Sequence, residues 1–231
     1  MKSGFLIFVG IVLLGYTGGL AEESAALVES FDEFDPAPFQ TKIPNKNTEV
    51  RDGVLWTRGA SGGKYPPMVY LGVAGTDLEI SFRYRHLEDG GMLWFFVDGD
   101  DGFGSVDHML RVKLVRDRIR LQIDSHTKDP DHPDRQKKTR PADSVSGAFR
   151  LNTYLPAESV DLSANDWRTV RLKFDGETVA LSVDAANGTH WKKSVTHPTF
   201  NAAKRKLLWM QNGGEKGMEI DDIEVKRVGE K

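Results

Sequence analysis

The chain has 231 residues, room for one ordinary domain or a single larger β-sandwich, and a formal net charge of −3. It contains no cysteine, which excludes disulfides, thiolate metal sites, thiol catalysis and lipid attachment through an N-terminal cysteine. A mildly acidic balance gives no electrostatic reason to expect nucleic acid as a partner.

Residues 1–21 read as a secretory signal. Lys2 supplies the positive start, residues 5–14 the apolar run, and Gly19-Leu20-Ala21 the small-residue cleavage site. The apolar run is short and broken by glycine, so no membrane span is expected once the signal is cut. The expectation is a protein secreted or held in the periplasm or cell envelope, its formal charge taken to −4 by the loss of Lys2. Residues 22–30 read as an acidic linker, and residues 31–229 as a single domain.

From Phe31 onward the pattern is a string of strands. Val54-Leu55-Trp56-Thr57 follows the turn Asp52-Gly53, and Val69-Tyr70-Leu71 follows Pro66-Pro67. Leu78, Ile80, Phe82 and Tyr84 alternate with Glu79, Ser81, Arg83 and Arg85, the period of a half-buried strand. Residues 92–97 are apolar on both faces, as in a central strand covered on each side, and Asp98-Gly99-Asp100-Asp101-Gly102 reads as the turn that closes it. Leu110, Val112 and Leu114, then Ile119, Leu121 and Ile123, mark two strands joined by a tight connection. Residues 125–155 break the pattern and are expected to form a long, functional or mobile loop. Residues 168–174 and 179–183 form a hairpin across Asp175-Gly176-Glu177, residues 201–206 one short helical turn, and residues 207–211 and 218–228 the last two strands. About ten short strands with glycine and aspartate turns specify an all-β fold, a two-sheet antiparallel β-sandwich.

Several phrases carry a resemblance. Phe31-Asp32-Glu33-Phe34-Asp35, Asp52-Gly53-Val54-Leu55-Trp56, Trp167-Arg168-Thr169-Val170-Arg171-Leu172 and Ile220-Asp221-Asp222-Ile223-Glu224-Val225 resemble the concanavalin A-like jelly rolls of the laminin G and glucanase type. Within these, the chain is most similar to the secreted bacterial domain also called the 3-keto-disaccharide hydrolase domain. The resemblance implies a carbohydrate-active or carbohydrate-binding role, with poly- or oligosaccharide as partner. The alternatives are a glycoside hydrolase and a structural envelope domain.

Three constellations carry possible chemistry. The first is Glu219-Ile220-Asp221-Asp222-Ile223-Glu224, which spells E-x-D-x-x-E, the arrangement of nucleophile and acid/base in one group of β-sandwich glucanases. Glu219 and Asp221 share a strand face, and Glu224 joins them only if a bulge shifts the phase. Its place at the end of the chain matches the closing strand of the resembled family rather than a cleft-lining strand.

The second is a polar face. Arg111, Lys113, Arg120, Gln122 and Asp124 lie opposite the apolar positions of the 110–123 strand pair, and planar amide, carboxylate and guanidinium groups engage paired sugar hydroxyls. The alternative is a solvated face with cross-strand charge pairs. Trp94, Trp209, Tyr84 and Tyr154 are candidate stacking platforms for a pyranose ring. At the rim, His108, Asp124 and His126 are expected to meet as a general acid/base group or a divalent metal site.

The third is a structural calcium site. Jelly-roll binding modules tie first and last strands together through an oxygen-lined Ca2+, and Asp32, Glu33, Asp221 and Asp222 occupy those strands.

Overall fold

The computed structural model describes residues 27–59, 66–88, 91–100, 102, 107–133 and 148–228. The expected signal therefore lies outside the described residues. Among those that are described, no helix is long and apolar enough to cross a membrane.

Among the described residues fifteen strands follow in order. They begin with β1 (Leu27–Glu29), β2 (Thr48–Arg51), β3 (Val54–Thr57), β4 (Met68–Gly75) and β5 (Leu78–His86). Next come β6 (Met92–Gly99), β7 (Asp107–Val115), β8 (Arg118–Thr127), β9 (Phe149–Tyr154) and β10 (Glu158–Ser159). The last five are β11 (Arg168–Asp175), β12 (Thr178–Ala185), β13 (His190–Thr196), β14 (Lys204–Asn212) and β15 (Met218–Arg227). They form two antiparallel sheets. The first runs β13-β12-β11-β5-β15-β3-β2, with β1 also on β15; the second runs β10-β8-β7-β6-β14-β4, with β9 also on β8.

The local chemistry explains the strand ends. Asp52 and Gly53 both take positive φ, 51° and 70°, which is what a two-residue hairpin turn between β2 and β3 demands. Alternation then sorts the side chains. On β5, Leu78, Ile80, Phe82 and Tyr84 enter the core and the charged residues between them face out.

The core is one continuous apolar layer between the sheets. At its centre Phe82 meets Phe95 at 4.7 Å between ring centroids, and both contact Trp209 at 5.4 and 5.2 Å. Trp209 is therefore not a sugar platform. It is 1 % exposed and points inward, because on β14 it alternates with the outward Leu208 and Met210. Tyr84 is buried for the same reason.

Four other expectations change. Residues 204–206 are strand, and the short helical turn is a 3-10 turn at Pro198–Asn201. The last residues of the expected linker form β1, paired in register with β15. The pattern break at 125–155 is narrower than it reads, because β8 continues to Thr127 and β9 begins at Phe149. Finally, β6 is central in its sheet, but its outward residues Trp94 and Phe96 join an apolar cluster on the sheet's outer face rather than a second core layer.

Candidate functional site

The register of the second sheet lays its outward side chains in rows across the strands. One row runs Met68, Met210, Trp94, Lys113, Arg120. The next runs Tyr70, Leu208, Phe96, Arg111, Gln122, Tyr154. A third places Lys206, Asp98 and His108 together, with Asp124 opposite Asn152 farther along. His108 and Arg111 are an odd number of residues apart, yet both face outward. The register of β6 and β7 shifts by one after Val97, where Met109 is the extra residue of a bulge.

One half of this face is apolar. Phe96, Leu208 and Met210 are buried, with Met68, Tyr70 and Trp94 packed around them. Cations border the rings: Lys113 Nζ sits 4.3 Å over Trp94, the Arg111 guanidinium 5.6 Å over Phe96, and Lys206 Nζ 4.9 Å over Tyr70.

The other half is a charged network. Asp124 accepts from Arg111 Nη2 at 2.5 Å and from Gln122 Nε2 at 3.0 Å, and the same Gln122 nitrogen donates to Asn152 Oδ1 at 2.7 Å. Although they point away from the core, Gln122 and Asp124 are 2 % and 0 % exposed. Burial pushes the Asp124 carboxyl above its usual range, against the opposing pull of Arg111 and Gln122. Lys113 is lowered by burial, with Arg111 and Arg120 adding to the effect. Beside the network, Asp98 Oδ1 meets His108 Nδ1 at 2.7 Å and Asp98 Oδ2 lies 3.5 Å from Lys206 Nζ. Asp98 thus fixes the orientation of the imidazole through Nδ1. Arg111 Nε and Trp94 Nε1 have no acceptor among the described residues.

Arg111, Lys113, Arg120, Gln122 and Asp124, expected on one face, lie there together, and the register adds the candidate platform Trp94 and the rim residue His108 to the same face. His126 continues the 122, 124 alternation on β8, opposite Arg150, and also lines a hollow with His132 and His197. Asp98, Phe96, Asn152 and Met210 were missed. Continuing the 94, 96, 98 alternation through the acidic turn would have found Asp98; Asn152 was hidden in the presumed loop.

The calcium expectation is not met by the described residues. Asp221 and Asp222 are both claimed by Arg83, at 2.6 and 2.7 Å, and no group of three or more histidine, aspartate or glutamate side chains stands close enough to hold an ion among the described residues. Asp32 and Glu33 belong to no such group either.

The E-x-D-x-x-E residues lie on the outer face of the first sheet. A register shift between Asp221 and Glu224 does bring all three acids to one face, opposite Arg85, Arg83 and Ser81. Glu219 is bound by Arg85 at 2.6 Å and Asp221 by Arg83, and both guanidinium groups rest on Trp167. These acids are committed to a structural charge network. Farther along that face, a hollow of about 540 Å³ is lined by Glu79, Ser81, Arg171, Lys173, Lys192 and Glu224. Its lining has no aromatic side chain on which a sugar ring would stack.

No protein-family model and no curated protein sequence matches the chain. Solved structures do. The CBM2 module of the evolved Dit of Lactobacillus casei BL23 phage J-1 aligns with TM-score 0.58 and 8 % identity, over 90 % of this chain and 100 % of that one. The legume lectin-like domain from Entamoeba histolytica aligns with TM-score 0.52 and 11 % identity, over 88 % and 97 %. The exoplasmic/lumenal domain of VIP36, in a Ca2+/Man3GlcNAc-bound form, aligns with TM-score 0.51 and 12 % identity, over 89 % of each chain. At such identities the likeness is one of fold. The chain folds as a concanavalin A-like, legume-lectin-type jelly roll.

Proposed function

We propose that this protein is an exported carbohydrate-recognition domain, and that it binds a glycan on the outer face of the second sheet. One observation carries the reading: a row of apolar and aromatic side chains, Trp94 and Phe96 with Met210, runs directly beside the buried network Arg111–Asp124–Gln122–Asn152. A pyranose ring has an apolar face that packs on aromatic rings and an equatorial fringe of hydroxyls that pairs with planar polar groups. Lys113, Gln122 and the Nε of Arg111, without an acceptor among the described residues, supply the second requirement within one or two strand spacings of the first. A legume lectin-like domain and a Man3GlcNAc-bound domain of the same fold support the reading by analogy of fold.

Calorimetry against a panel of oligosaccharides is the test. Wild type is expected to release heat with at least one glycan, and Trp94→Ala to weaken that binding tenfold or more, equivalent to about 1.4 kcal/mol. Gln122→Ala should weaken it too, with the urea midpoint followed to separate binding from folding. Heat with no glycan would leave the structural envelope role as the better reading. N-terminal sequencing of the product released from cells tests export, with Glu22 the expected first residue.

A second reading rests on Asp124. A carboxyl raised by burial next to a fixed imidazole is suited to donate a proton to a glycosidic oxygen. That would make the domain a glycoside hydrolase of the 3-keto-disaccharide type. Turnover of 3-keto-glycosides by wild type, lost in Asp124→Asn and reduced in His108→Gln with glycan binding retained, would establish it.

A further inference from the structure

Arg168 opens β11 on its inward face and is 1 % exposed. Among the described residues, its Nε, Nη1 and Nη2 make no hydrogen bond of good geometry and no ion pair with a carboxylate; the Tyr84 hydroxyl lies near enough to draw on its charge but not aligned to accept squarely. A guanidinium does not give up its proton in a protein. Enclosing it uncompensated is among the heaviest single penalties a fold can carry.

The groups around it are polar and no better satisfied. Tyr84 is the cross-strand partner of Arg168, whose guanidinium lies 5.5 Å from the Tyr84 ring. His86, two residues along β5, packs edge-on against Tyr84 at 5.5 Å. Among the described residues the Tyr84 hydroxyl, both His86 ring nitrogens and Gln211 Oε1 make no hydrogen bond of good geometry, although Arg168 adjoins the hydroxyl and Gln211 the imidazole. Gln211 comes from the second sheet. A Cβ on Gly91 would sit 2.7 Å from His86 Nδ1 and 3.2 Å from Gln211 Nε2, so these two side chains adjoin across the sandwich. Burial, then the Arg168 charge, lowers the His86 pKa to about 4, so at neutral pH it adds no second positive charge. Burial likewise keeps the Tyr84 phenol protonated. The cluster therefore carries one net positive charge. Its polar groups are mostly N–H and O–H donors, with the Gln211 carbonyl and one imidazole nitrogen as the acceptors.

We propose that Arg168, Tyr84 and His86, closed off by Gln211, form an interior site for a small monovalent anion of the halide class, held between the two sheets. Donors surrounding a single fixed cation select an anion over a cation or a neutral ligand. The near-complete enclosure of Arg168 selects a monatomic ion over the carboxylate of a larger molecule. The site is separate from the outer-face glycan site and does not depend on that reading.

The test is thermal unfolding of the full chain in sodium bromide or chloride against sodium methanesulfonate, at constant ionic strength. In halide the Tm is expected to rise by about 3–5 °C for each tenfold increase above the dissociation constant. Methanesulfonate should give no such rise. Arg168→Met, which keeps the bulk and removes the charge, is expected to abolish the halide dependence. Bromide-soaked crystals should show an anomalous peak within hydrogen-bond distance of the Arg168 guanidinium, a readout that needs no variant to fold. Equal Tm values in the two salts, a halide response that survives Arg168→Met, or water alone beside Arg168 would each overturn the proposal.

Discussion

Glu219, Asp221 and Glu224 reach one face only because Asp222 takes a left-handed φ of 47° and carries the bulge, with Asp221 Oδ1 accepting its N–H at 2.8 Å. The spacing of the acids was legible in the sequence, and so was the need for a bulge. Their fate was not, because Arg85 is separated from Glu219 by 134 residues, and nothing local reports which strand lies beside β15. The same limit governs His86, which follows the alternating residues of β5 in sequence and is 5 % exposed. Its pKa is lowered to about 4, first by burial and then by Arg168. The sign follows from linkage: the unfolded imidazole takes up a proton near pH 6.5, the folded one only near pH 4. Stability is thus fully present above pH 6.5 and lost as pH falls through that window. The expected loss from this residue between pH 7 and pH 4 is about 3 kcal/mol. Urea midpoints across that range should fall more steeply for wild type than for His86→Gln. Parallel curves would count against the assignment.

At the scale of elements, strands with a clean alternation and several apolar residues were readable, and the edge strands β13 and β9 were not. On β13 only Trp191 and Val195 are buried hydrophobics, and on β9 only Leu151, so the period-two signal is too thin to separate from a polar loop. The bulge of β7 was equally silent, although it turns His108 toward Asp98. Gly99 at the end of β6 lies beside that bulge. A Cβ there would stand 1.9 Å from Met109 Sδ and 2.6 Å from the Ala203 carbonyl oxygen. The sulfur sits on a flexible side chain and can swing away, but the backbone oxygen cannot. Gly99→Ala is therefore expected to cost about 1–3 kcal/mol and to loosen the Asp98–His108 contact. The urea midpoint measures the first effect. Adding Met109→Ala should recover only part of it, and full recovery would show that the carbonyl contact does not matter.

Across the whole molecule, the two-sheet sandwich was legible because turn chemistry and alternation recur along most of the chain. The closure of its first sheet was not. The opening residues of the described chain pair with its end: Leu27, Val28 and Glu29 stand opposite Val225, Glu224 and Ile223. Composition alone makes this stretch look like a linker, since it is short, acidic and alanine-containing. Its contribution is physical. Leu27 packs on the core, and the buried Glu29 carboxylate accepts from the Phe31 N–H at 2.7 Å and the Asp35 N–H at 3.3 Å. Those bonds hold the turn that brings Phe31 against Phe34 and Phe39, at 5.8 and 6.1 Å. A chain begun at Ser30 loses the three ladder positions, both carboxylate bonds and the apolar area of Leu27. With each buried hydrogen bond worth about 1 kcal/mol and the leucine about 1–2 kcal/mol, the expected cost is roughly 3–5 kcal/mol relative to a chain begun at Glu22. For a domain of this size that corresponds to a Tm lower by about 6–15 °C. It also leaves the β15 edge bare beside Ile223 and Val225, so the shortened chain should self-associate more readily in light scattering. Equal Tm values for the two chains would mean that β1 is a passenger on the sheet and that closure rests on β15 with β3 and β5 alone.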